Sequence, residues 1–410
     1  MRYSGMKSFG LGALLIATIT SCDLGVSNPG PVNDGALDDA AANDAIVNGM
    51  GRALSRAVGY ISYTGGIIDK EIVASGSNNV SIFGVSLKQR AGLLDPGLDE
   101  TNDHWRFAQQ ARWVSEDGVR RMRETLGANF SKSPLAAQAL VHAGFSERLL
   151  GENMCVAVID GGAAEPRNAY FSRAEAAFTE AIAVANAAGN TTLERAARAG
   201  RASVRVWLND WTGAAADARL VPTVFVYQAV YSSLEQAQYN RVYWANGNQP
   251  ARAHSVVGTF YESYYTSTKD PRTPWSINPA FPRGTSGNVL WYFQTKFDKT
   301  SSPVNLVSAR EMKLIIAESL LRSGDWPGAL TEINAIRASV GVPPWAATNV
   351  AETWTALGRE RGIELWLEGR RLGDLYRWQT GKVPGVFDDM TGRDMCFPVG
   401  VSETTTNPNL

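Results

Sequence analysis

Three glutamates near the C-terminus recur every four residues. Glu360, Glu364 and Glu368 lie in the stretch ERGIELWLEGRRLGDLYRW, and this spacing would stack three carboxylates on one face of a helix. A pair of free carboxylates could serve as acid and base in glycoside hydrolysis. Here each acid has an arginine close by in the sequence, which favours a solvated face of salt bridges over a catalytic pair.

A second set of candidate residues is aromatic or carries an amide. Sugars and peptides bind to aromatic platforms flanked by side chains that form hydrogen bonds. The candidates occur in or beside segments rich in Gly, Asn and Pro, and they are Asn78, Asn79, Tyr243, Trp244, Trp275 and Trp291. The alternative for each aromatic ring is a place in the core, where tryptophan usually packs. Five other tryptophans are assigned to the scaffold, namely Trp105, Trp113, Trp326, Trp366 and Trp378.

Other kinds of chemistry have little support in the sequence. The three histidines, His104, His142 and His254, are far apart and lack the spacing of metal ligands. Gly-x-Ser-x-Gly, phosphate-binding and dinucleotide-binding motifs do not occur. The net charge of −1 provides no basic field for nucleic acid. We therefore expect a binding protein without catalytic residues, metal or cofactor, although an acid pair for glycoside hydrolysis would need no local motif.

The N-terminus has the features of a bacterial lipoprotein signal. Residues 1–21 contain a basic start and a short apolar run, and Ser21 precedes Cys22 as in a lipobox. Cys22 would be the lipid anchor, and residues 22–40, rich in Gly, Pro, Asn and Asp, would form a flexible tether. The alternative is an ordinary secretory signal with an incidental cysteine. Translation could start at Met1 or at Met6.

Two further cysteines, Cys155 and Cys396, remain after Cys22. In an oxidising compartment they could form a disulfide that ties the middle of the chain to its C-terminal segment. Two separate thiols are an equal alternative, since sequence spacing does not show proximity.

The periodicity of apolar residues predicts a mainly helical protein with an irregular middle. Residues 41–220 form an N-terminal helical part, with helices expected at 41–58, 102–126, 133–150, 172–188 and 192–211. Residues 221–307 form an aromatic, loop-rich part in which repeated prolines exclude a long helix. Residues 308–410 form a C-terminal helical hairpin followed by the glutamate-rich stretch, whose first helix should end at Gly369. The sequence ESLLRSGDWPGALTEINAI is typical of a tetratricopeptide-like hairpin.

The C-terminal hundred residues also resemble a known family. Two motifs match the SusD/RagB family of nutrient-binding outer-membrane lipoproteins, which includes starch-binding proteins. The first comprises Glu360-Arg361, Glu364-Leu365, Glu368-Gly369, Arg371, Asp374-Leu375 and Arg377-Trp378. The second is the ending, with Phe397-Pro398-Val399 and then Thr406-Asn407-Pro408-Asn409-Leu410.

This resemblance implies one SusD-like domain over residues 41–410, in which the first motif is a structural signature. It implies a lipoprotein at the cell surface that captures nutrient oligomers, most often oligosaccharides and in some members peptides. The implied partner is a SusC-like TonB-dependent transporter of the outer membrane. The competing hypothesis is a helical-repeat lipoprotein that serves envelope assembly and binds no small ligand.

Overall fold

The structure is a computed structural model that describes residues 34–77, 86–96, 99–247 and 251–410. The predicted signal peptide, Cys22, Asn78 and Asn79 lie outside the described residues. The fold is mainly helical, with the tetratricopeptide-like scaffold and the loop-rich middle that the sequence predicted. In the described part of the chain, no helix is long and apolar enough to cross a membrane.

The N-terminal half is built from long helices. Their bounds are α1 Asn43–Ile68, α2 Leu87–Arg90, α3 Asp99–Leu126, α4 Pro134–Asn153, α5 Asn168–Ala187, α6 Thr191–Trp207 and α7 Trp211–Arg219. Short polar side chains cap several of them. Ser133 Oγ accepts a hydrogen bond from Ala136 N at 3.3 Å, ahead of Pro134 at the start of α4. Because the capping residue and the first-turn proline are local signals, this helix start was predictable.

Close packing of small residues against phenylalanine holds α4, α5 and α6 together. Phe178 of α5 is fully buried, and a Cβ atom added at Gly144 of α4 would lie 2.7 Å from its ring. Gly200 of α6 approaches the same ring. Glycine therefore allows three helices to meet around one aromatic side chain, as expected for a tetratricopeptide-like repeat.

Helix α1 is longer than its sequence predicts. The apolar pattern predicts a helix over residues 41–58, whereas α1 continues through Gly65 and Gly66 to Ile68. A Cβ atom at Gly66 would lie 3.2 Å from Leu367 Cδ2. We attribute the continued helix to this tertiary contact, which outweighs the low helix propensity of glycine.

The predicted tether of residues 22–40 is shorter at its C-terminal end than expected. Residues Asp34–Asp38 and Ala40–Ala42 form 3-10 helices. Arg121 of α3, which is buried, donates to Asp34 Oδ1 at 2.8 Å and to Asp38 Oδ1 at 2.7 Å. These ion pairs fix residues 34–38 on the domain, so this part is not a free linker.

The C-terminal half contains α8 Phe260–Thr268, α9 Ala309–Arg322, α10 Trp326–Ser339, α11 Val350–Glu364, α12 Arg371–Thr380 and α13 Val401–Thr406. Ser308 Oγ accepts a hydrogen bond from Glu311 N at 3.1 Å, so Ser308 caps the start of α9. Helices α9 and α10 form the predicted hairpin, and α9 also packs against α7. The helical scaffold is therefore continuous across the loop-rich middle.

The described strands are short and pair in antiparallel fashion. Strand β1 (Val73–Ala74) pairs with β3 (His254–Ser255), β2 (Val226–Ala229) with β6 (Val304–Ser308), and β4 (Trp275–Ile277) with β5 (Tyr292–Gln294). Each pair joins segments that are distant in the sequence or separated by a long loop. The strands therefore fasten the loop-rich middle to itself and to the N-terminal half.

Cys155 and Cys396 form a disulfide, so the structure favours the first of the two alternatives for these residues. Beside it, Met154 and Phe397 form a parallel β-bridge, with Phe397 N donating to Asn153 O at 2.8 Å. The bond joins the end of α4 to the C-terminal segment across 241 residues.

Candidate functional site

The predicted carboxylate face at the C-terminus is buried. Glu360 accepts hydrogen bonds from Arg272 Nη1 at 2.6 Å, Arg337 Nη1 at 2.9 Å and Trp345 Nε1 at 2.8 Å. None of these donors belongs to α11, which carries Glu360. The prediction of a solvated face with local arginine partners is therefore wrong, because packing brings distant cations to the acids.

The next two glutamates do not share one helical face. Glu364 is the last residue of α11 and accepts from Arg310 Nε at 2.7 Å. Helix α11 therefore ends at Glu364, five residues before the predicted end at Gly369, and Glu368 lies outside the helix. The chain turns at Gly369, which has a φ of 71°. Burial raises the pKa of Glu368, whose carboxylate accepts from Lys296 Nζ at 2.9 Å. Both acids are thus engaged by cations from other elements.

The rest of the signature is buried in the same way. Burial alone would raise the pKa of Asp374, but the guanidinium groups of Arg361 and Arg377 lower it below its ordinary value. Arg361 Nε donates to Asp374 Oδ2 at 2.7 Å, and Arg371 Nη2 donates to Asp388 Oδ2 at 2.5 Å. Both carboxylates are therefore occupied by arginine side chains, which does not suit a general acid.

Arg377 and Trp378 both contact Glu318 of α9. Arg377 Nη2 donates to Glu318 Oε2 at 2.6 Å, and Trp378 Nε1 donates to Oε1 at 3.1 Å. The signature therefore locks α12 onto α9. We interpret all of its charged residues as structural.

The loop-rich middle forms a different surface, which we call the loop face. It comprises residues 75–77, 239–247, 251–255 and 281–294. Ser75 N donates to Ala253 O at 2.7 Å, and Ser286 N donates to Ser75 O at 3.1 Å. Ser77 N donates to Thr285 Oγ1 at 3.1 Å. Asn78 and Asn79, which the sequence predicted to bind ligand, lie outside the described residues.

Tyr243 and Trp244 lie on the loop face, in a turn of π-helix over Tyr243–Gly247. Both rings are half-buried. Trp244 packs against Tyr239 with their ring centroids 5.2 Å apart, and small side chains of Ala74, Ala245, Ala251 and Ala253 lie beneath it. A partly exposed indole on a floor of alanine has the features of a stacking platform.

Phe281 and Arg252 form a second aromatic group on this face, which the sequence did not single out. Phe281 is 40% exposed, and the guanidinium carbon of Arg252 lies 4.7 Å from the centroid of its ring. The cation–π contact holds an exposed ring beside a hydrogen-bond donor. The only sequence signal for Phe281 was its place in the proline-rich part of the aromatic segment.

The other two predicted platforms have different environments. Trp291 is 1% exposed, and its Nε1 donates to Asn246 O at 3.1 Å, so it belongs to the core and its predicted role in binding is wrong. Trp275 is half-buried and stacks on Tyr292 with their centroids 5.0 Å apart. Its Nε1 donates to Glu262 O at 3.2 Å. Trp275 therefore supports the β4–β5 pair, and its outer surface remains accessible.

Among the cavities formed by the described residues, two of similar volume lie outside the loop face. One of about 600 Å³ lies between α1, α4 and β2, and it is lined by Arg52, His142 and Tyr227 among others. Burial lowers the pKa of His142 to about 4. The other, of about 610 Å³, lies beside Trp113 of α3. Trp113 is 56% exposed, so its assignment to the scaffold was wrong.

The chemistry of the loop face is that of binding. It offers aromatic surface, hydroxyl groups and guanidinium donors. In the described residues, no cluster of three His, Cys, Asp or Glu side chains could hold a metal ion.

Comparison with known proteins gives one family and one fold. Residues 215–409 match the model of the SusD family. A SusD homolog from Bacteroides thetaiotaomicron VPI-5482 is 16% identical, with a TM-score of 0.69, and the match covers 93% of this chain and 98% of that chain. No curated protein sequence matches this chain.

Two other solved structures are similar over most of their length. A SusD-like carbohydrate binding protein from Bacteroides vulgatus ATCC 8482 is 14% identical, with a TM-score of 0.67, and the match covers 91% of this chain and 97% of that chain. A laminarin binding SusD-like protein is 14% identical, with a TM-score of 0.63, and the match covers 91% of this chain and 100% of that chain. At these identities the similarity shows a shared fold.

Proposed function

The chain belongs to the SusD family through residues 215–409, and from this membership we propose that it captures nutrient oligomers for a SusC-like TonB-dependent transporter. The ligand we propose is an oligosaccharide. Two proteins of the same fold are named for binding carbohydrate and laminarin, and this chain offers the aromatic surface that such ligands need.

The observation that carries the proposal is the partly exposed Trp244 on the loop face. The ring lies on small side chains and beside Tyr239, so its orientation is fixed before a ligand arrives. The indole ring can stack on a sugar ring, while Arg252 and the hydroxyl group of Ser286 on the same face can supply hydrogen bonds. A fixed platform lowers the entropic cost of binding a flexible oligomer.

The proposed location is the cell surface. Cys22 would carry the lipid, the mature chain would be anchored in the outer membrane, and residues 41–410 would form one SusD-like domain. This proposal depends on the lipobox-like sequence at Ser21-Cys22 and on the family.

The first experiment is purification of the full-length lipidated protein from its native envelope. We expect a large β-barrel receptor to co-purify at a ratio near one to one. A Cys22→Ala variant is the matched control, because it lacks the acylated cysteine but keeps the domain. Recovery of periplasmic assembly proteins without a receptor would instead support the envelope-scaffold hypothesis.

Ligand class is tested separately on the purified protein. Affinity electrophoresis through gels that contain laminarin, starch or xylan should retard the wild type in at least one of them. Binding of casein-derived peptides, with no retardation in any polysaccharide gel, would support a peptide-capturing member of the family. Hydrolysis of the polysaccharide would contradict the assignment as a binding protein.

A further inference from the structure

Trp113 lies at the edge of a cavity that shares no residue with the loop face. The cavity is bounded by α3, by the turn at residues 158–161 and by the start of α13. Trp113 is 56% exposed, a high value for the largest apolar side chain. Gln109 and Gln110 lie four and three residues before it, which places their amides on the same side of α3.

The walls of this cavity are firmly held. Asn407 Nδ2 donates to Gly162 O at 2.9 Å, and Asn409 Nδ2 donates to Gly161 O at 2.7 Å. Trp105 Nε1 donates to Glu403 Oε2 at 3.3 Å. The closing Asn-Pro-Asn motif therefore fastens the C-terminal segment to the turn, and the Cys155–Cys396 disulfide joins the same two segments.

The polar groups of the cavity are also fixed in position. Arg112 is 4% exposed. Its Nη2 donates to Asp160 Oδ1 at 2.9 Å, and its Nε donates to Gln109 Oε1 at 3.0 Å. Gln109 Nε2 in turn donates to Val158 O at 2.9 Å. A buried guanidinium thus orients an amide and a carboxylate beside an exposed indole ring.

Charge and composition favour a neutral polar ligand. The two guanidinium groups that line the cavity, Arg106 and Arg112, are balanced by two carboxylates, Asp160 and Glu403. Val158 is the one aliphatic side chain among the residues that line the cavity, and it is buried, so the lining offers a protein partner little aliphatic surface beside the tryptophan. The surroundings of Trp113 combine an aromatic face with planar hydrogen-bonding groups.

We propose that this cavity is a second saccharide-binding site, with Trp113 as its stacking platform. The ligand class rests on the proposed function of the loop face, while the site is separate from it. Two sites on one rigid domain would hold a long polysaccharide more tightly than either alone, because the second contact is intramolecular.

The test uses full-length protein labelled with 5-fluorotryptophan and observed by ¹⁹F NMR. The signals of Trp113 and Trp244 are assigned by their loss in Trp113→Phe and Trp244→Phe variants. The probes are laminari-, malto- and xylo-oligosaccharides. We expect one of these probes to shift both signals, and the Trp113 signal to shift in the Trp244→Ala variant as well.

Retention in polysaccharide gels gives a second measurement. Trp113→Ala should weaken apparent affinity for the long polymer at least about tenfold, since it removes the linked second contact. Arg120→Ala, an exposed change on the same helix outside the cavity, is the control and should leave retention unchanged.

The outcomes separate this proposal from the function of the loop face. If a sugar shifts only the Trp244 signal, the second site is wrong and the proposed function stands. If no probe shifts either signal, both proposals fail. If the Trp113 signal responds to the co-purified receptor and to none of the sugars, the ring is a protein contact and the saccharide site is overturned.

Discussion

Arg272 Nη1 donates to Glu360 Oε1 at 2.6 Å and so joins the loop-rich middle of the chain to the C-terminal signature. Both side chains are buried. Arg272 also donates through Nη2 to Asp270 Oδ2 at 2.7 Å, which fixes the loop before β4. Glu360 therefore positions the loop that leads into β4 and Trp275.

Replacing Glu360 should destabilise the fold strongly. Glu360→Gln keeps the shape of the side chain but removes the carboxylate that Arg337 and Arg272 share. Arg337 then has no carboxylate partner among the described residues, while Arg272 keeps Asp270. Breaking a buried ion pair in this way costs about 3–5 kcal/mol of the free energy of unfolding. Urea denaturation followed by circular dichroism measures the change. The matched control is Arg120→Ala, in an exposed ion pair, which should leave the urea midpoint unchanged. A midpoint of Glu360→Gln equal to that of the wild type would contradict a structural role for Glu360.

Loss of the disulfide should lower stability and loosen the cavity beside Trp113. The bond closes a sequence separation of 241 residues, and removing such a bond typically costs about 2–4 kcal/mol. A Cys155→Ser/Cys396→Ser variant should therefore unfold at a lower urea concentration than the oxidised wild type. Dithiothreitol should lower the urea midpoint of the wild type to that of the variant, and it should leave the midpoint of the variant unchanged. A wild type that does not respond to reductant would argue against the bond.

The sequence predicted elements whose signals are local. The caps at Ser133 and Ser308 specify the starts of helices α4 and α9 within a few residues. Partners of the signature acids could not be predicted, because Arg272 lies 88 residues from Glu360. The same limit applies to tryptophans: the sequence pattern assigned Trp113 to the scaffold and Trp291 to a binding surface, whereas tertiary packing leaves Trp113 exposed and buries Trp291.

The buried His142 should make the protein sensitive to mild acid. Burial lowers its pKa to about 4, whereas an unfolded histidine has a pKa of about 6.5. As the pH falls from about 6.5 to 4, the unfolded chain gains a proton at this site that the folded chain does not. The free energy of unfolding therefore falls by up to about 3 kcal/mol as the pH decreases from about 6.5 to about 4.

This pH dependence is measured by urea denaturation at intervals between pH 4 and pH 8. A His142→Gln variant has no titrating group at this position, so its stability should fall less than that of the wild type over the same interval. Comparing the two profiles cancels the contribution of the many other acids. Parallel profiles would mean that His142 does not control the acid response.

Two tryptophans of the aromatic segment should respond to alanine substitution in opposite ways. Trp244 is half-buried on the loop face, so Trp244→Ala should weaken polysaccharide binding about tenfold, or about 1.4 kcal/mol. Trp291 is 1% exposed in the core, so Trp291→Ala should lower the free energy of unfolding by about 3–5 kcal/mol. Gel retardation and urea denaturation, applied to both variants, separate the effects. Binding unaffected by Trp244→Ala in a folded protein would remove this ring from the site, and Phe281→Ala would then test the other exposed ring of the face.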